Sequence, residues 1–453
     1  MLSFNRRSER LSQQPWAQGV LLLFCVIAAM LLANLPATKF FYHSFLETKV
    51  QIHFMSPDGN VDWLFPRDLT IEKFINDVLM VVFFFTVGLE IKREVAHGEL
   101  SSLKKALLPI IAAFGGVIMP AVIFTLVNHG TPAASGWGIP TATDIAFAVC
   151  ILSVLGDRVP VSLKVFLTAL AIADDLIAIL VVALFYGGHI NLLLLGISLA
   201  VIGIALLLRH LGQKHVSVYL ALAVVVWVLF YYSGIHATMS GVVMAFIIPS
   251  TPRYERPYVL HKIRFFADKL VRYDRIDDDT DFPNGPQRHF LRRIQDTAYG
   301  SMNMSYRVEH ALSPWVNFLI MPIFALANAG VEIPDISFFN IFNTAGITGG
   351  VGLGIFLGLV LGKPLGITLF SFIAVKTGIC TMPDKAGWKM FFAVACLGGI
   401  GFTMSIFVDT LSFADAAAVV AMRNAGKIAI LLGSIAAGII GTVLIRLASV
   451  KRS

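Results

Sequence analysis

Long stretches without any Asp, Glu, Lys or Arg dominate this sequence. They are residues 106–143, 176–208, 310–331, 336–362, 390–408 and 428–445. A helix needs about 20 mostly apolar residues to cross a bilayer, and each stretch approaches or exceeds that length. Charged residues make up only 14% of the chain, against roughly 25% in a soluble domain. A soluble enzyme, a disordered chain and a disulfide scaffold are therefore excluded, and the pattern predicts an all-α, multi-pass membrane protein.

The apolar pattern predicts twelve spans. They lie at residues 16–35, 69–91, 106–128, 137–156, 160–186, 191–209, 217–233, 235–250, 314–331, 345–375, 388–411 and 424–446. Most of the 35 Lys and Arg residues fall at the two termini and in every second loop. Because basic loops stay in the cytoplasm, we expect both termini to be cytoplasmic. The net charge of +7 then sets topology, so the expected partner is the lipid bilayer and not a nucleic acid.

Two loops are long enough to form structures outside the bilayer. Residues 37–68, on the outer side, contain an alternating segment at 50–54 and a turn signal at 56–60. This pattern predicts a small β-hairpin, whose free edge could pair two subunits into a homodimer. Residues 251–313 form a cytoplasmic insert with an acidic stretch at 277–281. We expect this insert to be a solvated, partly disordered connector.

Glycine-rich breaks interrupt two of the spans. The first break is Gly138–Asp144 and the second is Gly398–Thr403. Small residues in spans also permit close helix packing, but paired breaks in two halves of a chain are typical of transporters with inverted repeats and a binding site at mid-membrane.

Four charged residues lie deep within the predicted spans, where each costs about 2.5–3.5 kcal/mol on insertion scales. Asp144 lies beside the first break, Asp174 and Asp175 are adjacent in the fifth span, and Lys363 lies in the tenth. One lysine cannot neutralise three carboxylates. The surplus negative charge must be relieved by protons, by a metal cation or by the two in alternation, which predicts an ion path.

Burial and a neighbouring carboxylate both favour the protonated form of an acid, and carboxylate oxygens suit small hard cations. A proton and a sodium ion would then compete for the same carboxylates. If that site opens to each face in turn, competition alone is sufficient for antiport. Lys363 could act as a movable counter-charge, and spacing leaves open which Asp it pairs with.

Two other functions use buried acids. An intramembrane aspartyl protease would need two carboxylates across one water, which Asp144 and Asp175 could supply, but it gives no role to Lys363 or to the second break. A passive cation channel lined by acids is the other alternative. The four cysteines show no disulfide or zinc spacing. No cofactor is expected, only the transported ions.

Several motifs resemble the NhaA family of bacterial sodium/proton antiporters, in the expected order over almost the whole chain. They are residues 87–94, 143–148, 169–175, 233–238, 325–330, 362–366 and 399–405. The resemblance implies twelve helices, with spans 3–5 and 10–12 as inverted repeats. The corresponding ion-exchange core is 106–186 and 345–446, within a single transporter domain.

The resemblance also implies roles for individual residues. Asp174 and Asp175 would exchange the ions, with Asp144 and Thr143 beside them as sodium ligands, and Lys363 would pair with Asp174 when sodium is absent. Asp144 would compensate the positive helix ends at the crossing, and Lys363 the negative ends.

The family's activity is electrogenic exchange of internal sodium or lithium for external protons across the bacterial inner membrane, activated at alkaline pH. It regulates intracellular pH and sodium, and it is not enzymatic. Residues matching the family's pH-response positions are Glu90, Arg93, Glu94, His236 and Glu309. The insert at 251–313 is longer than the family pattern, which puts regulation through Glu309 in doubt.

Overall fold

The computed structural model describes most of the chain. The described residues are 15–50, 52–55, 62–65, 69–187, 190–252, 254, 256–274, 285–333, 350–384, 386–413 and 417–449. The predicted turn at 56–60, the acidic stretch at 277–281 and the start of the tenth span at 345–349 lie outside these residues.

Helices form along the apolar stretches, because a backbone inside a bilayer must satisfy its own polar groups. The first ten are α1 (Pro15–Asn34), α2 (Lys39–Glu47), α3 (Ile71–Phe74), α4 (Met80–His97), α5 (Leu103–Val127), α6 (Ile145–Leu155), α7 (Val161–Phe185), α8 (Leu192–His210), α9 (Val216–Ser233) and α10 (Thr238–Ile247). Three 3₁₀ segments accompany them: Glu99–Ser101, Pro132–Thr141 and Gly156–Arg158.

The second half continues the pattern. Its helices are α11 (Arg256–Asp274), α12 (Gly285–Ser301), α13 (Met304–Trp315), α14 (Met321–Asn328), α15 (Val351–Leu357), α16 (Lys363–Lys376), α17 (Trp388–Leu397), α18 (Phe402–Ser412) and α19 (Ala417–Ser449). Single π-helical turns make α3–α4, α13–α14 and α15–α16 continuous. These turns are Ile75–Leu79, Val316–Ile320 and Gly358–Gly362.

Within the described residues, ten helices are long and apolar enough to cross a membrane. The pair α17 and α18, bent by 52° at its break, raises the number to eleven. The predicted span 235–250 corresponds to α10, whose ten residues are fewer than the roughly 20 that a crossing needs. A multi-pass helical membrane protein is thus confirmed.

The described residues of the loop 37–68 form a helix and two strands. Its first part is α2, which the sequence pattern did not predict. The strands β1 (Ile52–Met55) and β2 (Asp62–Phe65) pair antiparallel, with Ile52 opposite Phe65. A bridge between Lys49 and Thr70 closes the base of the loop.

The expectation of a partly disordered connector at 251–313 is wrong for most of that insert. Helices α11 and α12 pack side by side, with the Phe266 and Phe290 rings 6.3 Å apart and with Val259 and Thr297 buried. Apolar residues recur at helical spacing along α11 and form a seam against α12. A composition argument for disorder does not detect such a seam.

Two glycines fix the helix that carries Lys363. A Cβ at Gly366 in α16 would lie 2.0 Å from the Gly115 carbonyl oxygen in α5, and one at Gly115 would lie 2.3 Å from the Gly366 oxygen. The two backbones therefore touch, as small residues in membrane helices allow. This contact holds the start of α16 against the middle of α5.

Candidate functional site

The two predicted breaks meet at one point in the interior. The Asp144 backbone N–H donates to the Ile400 carbonyl oxygen at 2.6 Å. A Cβ at Gly401 would lie 2.8 Å from the Ala142 carbonyl oxygen, so only glycine fits this approach. The crossing consists of extended backbone at 142–144 lying against the break at 398–401.

Asp144 joins two helix N-termini at the crossing. Its carboxylate caps α6, accepting from the Ala146 N–H at 3.1 Å and the Phe147 N–H at 3.4 Å. It also accepts from the N–H of Thr403, at the start of α18, at 3.0 Å and from the Thr403 hydroxyl. A negative charge is favourable at the positive end of a helix dipole, so Asp144 compensates both ends.

Lys363 lies at the start of α16 and is 1% exposed. Its ammonium forms an ion pair with Asp174 and also donates to the Thr143 hydroxyl oxygen. That hydroxyl donates in turn to the Gly398 carbonyl oxygen at 2.8 Å. Lys363 therefore reaches the negative end of α17 through Thr143, without a direct bond.

The adjacent acids of α7 face different surroundings. Neighbouring residues on a helix point about 100° apart, so Asp174 meets Lys363 while Asp175 faces a cavity. Both side chains are buried, and each has one carboxylate oxygen without a hydrogen-bond partner in the described structure. The pair therefore combines one acid with a counter-charge and one without.

A cavity of about 690 Å³ leads to Asp175. Its inner wall includes Asp175, Asp144, Thr143 and Thr403; Asp174 and Lys363 are not part of its lining. No group of three or more His, Cys, Asp or Glu side chains in the described part of the chain is arranged to hold a metal ion. Oxygen donors at the crossing would thus have to include hydroxyl or carbonyl groups, such as Thr143.

Comparison with known proteins decides the family. A family model described as Na+/H+ antiporter 1 matches residues 9–445. An "Na(+)/H(+) antiporter NhaA" of Oleidesulfovibrio alaskensis is 42% identical, covering 95% of this chain and 91% of the relative. A protein of the same name from Yersinia enterocolitica is 40% identical, covering 96% and 95%. The chain belongs to the NhaA family.

A solved structure is also similar at a lower level. It is that of the sodium proton antiporter MjNhaP1 from Methanocaldococcus jannaschii at pH 8, which is 16% identical with a TM-score of 0.47. The similarity covers 95% of this NhaA-family chain and 92% of that protein.

Four of the five pH-response candidates of this NhaA-family chain meet at the far end of the cavity. Arg93 forms an ion pair with the buried Glu309 and a second with Glu94 at 3.2 Å, and its guanidinium lies 3.9 Å from Glu90. Glu90, Arg93 and Glu309 line the cavity. His236 lies elsewhere, with its Nε2 atom 2.5 Å from the Tyr186 carbonyl oxygen.

Sequence reasoning missed one further buried acid, Asp409, in this NhaA-family chain. Asp409 in α18 is 0% exposed, and α19 brings Arg423 and Lys427 to the same region. The acid lies near the end of the predicted span 388–411, where a charge has a low free-energy cost, so it was not predicted to be a site residue. Its six-residue separation from the break at Thr403 is the signal that could have identified it.

Proposed function

We propose that this chain is a secondary antiporter that exchanges sodium or lithium for protons. The observation that carries the proposal is the position of Asp175. This acid faces the cavity, has an oxygen without a partner, and adjoins an acid that is already paired with a lysine. Such a site binds either a proton or a small cation, and binding of one excludes the other.

In the proposed cycle, a cation enters the cavity past Glu309 and reaches Asp175. Asp144 and Thr143 line the same inner wall, where Asp144 adds a fixed negative charge and Thr143 adds an oxygen donor. Binding the cation releases the proton that Asp175 held, because the surplus charge of the site is then neutralised by the metal.

Lys363 supplies the second part of the exchange. Its ammonium occupies oxygens of Asp174 and Thr143, both of which the cation would use. Arrival of the cation displaces the ammonium from Asp174, and the displaced lysine can then lose a proton. More than one proton per metal ion makes the exchange electrogenic.

Alternating access would arise at the crossing. The broken elements touch through a few backbone contacts and the Asp144 carboxylate, and inverted repeats at 106–186 and 345–446, within a fold of twelve helices, would rock about that point. We place the cavity mouth and both termini on the cytoplasmic side of a bacterial inner membrane. Cytoplasmic sodium would leave, external protons would enter, and alkaline activation would act through Glu90, Arg93, Glu94 and Glu309.

The protease alternative fits the geometry less well. It requires Asp144 and Asp175 to share a water as acid and base. Asp144 instead accepts from four donors, so its oxygens are committed to the two helix ends. Transport measurements separate the antiporter from the channel.

Proteoliposomes with an internal pH dye test the proposal. Addition of sodium or lithium across a pH gradient should cause proton movement that rises with cation concentration and responds to membrane potential. Sodium flux without proton movement would indicate a channel, and absence of both would contradict the proposal. Vesicles that contain Asp175→Asn protein are the matched control for leak.

A further inference from the structure

Asp409 is buried, and none of the described residues donates a hydrogen bond to it. It is 0% exposed, and neither carboxylate oxygen has a partner in the described structure. The room for it is made by Gly426 in α19, where a Cβ would lie 2.2 Å from the Asp409 Oδ1 atom. Burying an ionised carboxylate with no donor is costly, so structural packing alone does not account for this residue.

Two basic side chains of α19 face this acid. Arg423 donates from one terminal nitrogen to the Thr410 carbonyl oxygen at 2.9 Å and to that of Phe413 at 2.6 Å, which caps the end of α18. Lys427 is 9% exposed, and in the part of the chain that the structure describes it has no ion pair within 4.0 Å. Asp409 therefore has positive charge nearby without a direct salt bridge.

Two further titratable groups lie near the cluster formed by Asp409, Arg423 and Lys427. The Glu72 carboxylate interacts electrostatically with Lys427, and the Tyr186 phenol interacts with Asp409. Glu72 lies at the start of α3, whereas Glu90 lies near the end of α4 at the cavity mouth. The rise between these two residues is about 27 Å, so the cluster and the mouth lie at opposite ends of the same long helix.

The ion-exchange site lies between these ends. Asp409 follows Thr403 by about 9 Å along α18, and Thr403 bonds to Asp144 at the crossing. The membrane interior thus has a carboxylate on each side of the crossing: Asp175 facing the cavity and Asp409 facing away from it.

We propose that Asp409 is a second proton-binding site, which serves the face opposite the cavity mouth. The inference rests on the proposed exchange and deepens it. A proton from water on that face binds one Asp409 oxygen, and the same proton later leaves toward the central acids. Lys427 and Arg423 then balance the negative charge that remains.

The ligand is a proton and not a metal ion for two reasons. Hard cations take several oxygen ligands, whereas Asp409 is the only acid on this part of α18. Lys427 and Arg423 also repel a cation that carries its own coordination shell, but a proton needs only one carboxylate oxygen.

Right-side-out and everted membrane vesicles test this proposal, because the pH at each face can then be set separately. Asp409→Asn keeps the shape of the side chain and removes its proton. We expect the exchange rate of the variant to lose its dependence on pH at the membrane face nearest Glu72, opposite the cavity mouth. Its dependence on sodium at the face where the cavity opens should stay as in the unmodified protein. Asp157→Asn, at an exposed acid, is the matched control and should retain both dependences.

An unchanged response to pH at both faces in Asp409→Asn would overturn the proposal. If that variant fails to insert, Asp409→Ser replaces it, because serine also lacks a carboxyl group, and an unaltered pH response at the membrane face nearest Glu72 would have the same meaning. Infrared titration of purified protein provides a readout without transport: subtracting the Asp409→Asn spectrum from that of the unmodified protein should leave a protonated-carboxyl band that titrates with pH. That band tests Asp409 even if sodium-coupled proton movement is not found.

Discussion

Asp144 lies at the crossing and the Asp174–Asp175 pair lies beside it, yet their hydrogen bonding differs sharply. Asp144 accepts from four donors, all of them at helix N-termini. Among the described residues, Asp174 has Lys363 and one oxygen without a partner, and Asp175, which lines the cavity, also has one oxygen without a partner. Hydrogen bonds to an ionised carboxylate stabilise its charge. Asp144 is therefore suited to keep its charge, and the pair is suited to exchange its ions.

The comparison also explains how a membrane protein can hold three carboxylates close together. The crossing supplies two helix dipoles for Asp144, and the lysine supplies one full charge for Asp174. Asp175 is left for the transported ions. Changing the partners of each acid should thus change transport in a graded way, with the largest effect at the acid that has the fewest partners.

Asp175→Asn is expected to have the largest effect. An amide cannot bind and release a proton, and it lacks the charge that attracts a cation, so sodium/proton exchange should be abolished. The measurement is sodium-dependent proton flux in proteoliposomes, with detergent-solubilised yield and melting temperature as checks of folding. Asp384→Asn, at an exposed acid on a loop, is the control. Normal exchange in Asp175→Asn would show that the site is misassigned.

Lys363→Ala should have the second largest effect. It leaves Asp174 without its counter-charge, so both acids of α7 then lack a basic partner and proton binding is favoured. We expect slower exchange and a pH profile displaced to more alkaline values, because sodium must displace a more tightly held proton. Lys376→Ala removes an exposed lysine at the other end of α16 and should leave the profile in place. An unchanged profile in Lys363→Ala would make the lysine purely structural.

The apolar runs were sufficient to predict the class of fold, because water is absent from the bilayer core and helices are the only way for this chain to satisfy its backbone there. The same reasoning identified Asp144, Asp174, Asp175 and Lys363, since a charge in an uncharged run is conspicuous. Residue spacing alone did not give the surroundings of each acid, and the Lys363–Asp174 pair was predicted only through the resemblance to the NhaA family. The Lys363–Asp174 pair depends on how closely α16 approaches α5, and that distance is set by Gly115 and Gly366.

Asp409 and the insert show two further limits. A hydropathy pattern cannot distinguish a charge at a span end from one buried beneath a neighbouring helix, so Asp409 was overlooked. The insert has a mixed charge pattern typical of a solvated connector, but its apolar residues have helical spacing, and only the contact between α11 and α12 makes them a stable pair.

Thr403→Val tests how much one hydrogen-bond donor contributes to Asp144. The change removes one of the four donors and keeps the backbone N–H of Thr403, so Asp144 becomes slightly more like Asp175. We expect a stability loss of about 1 kcal/mol, typical of side-chain hydrogen bonds between membrane helices, and a modest reduction in exchange rate. Melting temperature in detergent measures the first effect, and Thr403→Ser should restore it. Unaltered stability in the valine variant would mean that the hydroxyl adds nothing to the crossing.

Removal of the insert should have the smallest effect, because none of the acids compared above depends on it. Deleting residues 256–300 and joining the ends by a short glycine linker keeps the bridge between Pro252 and Asn303, which already holds the two ends together. Glu309 would also keep its partner Arg93, since that pair lies between α4 and α13. Exchange rate and pH profile should therefore match the full-length protein in the same vesicles. A correctly inserted deletion variant with a displaced pH profile would show that α11 and α12 act on the cavity mouth. Ion exchange by the buried acids would then not be independent of the insert.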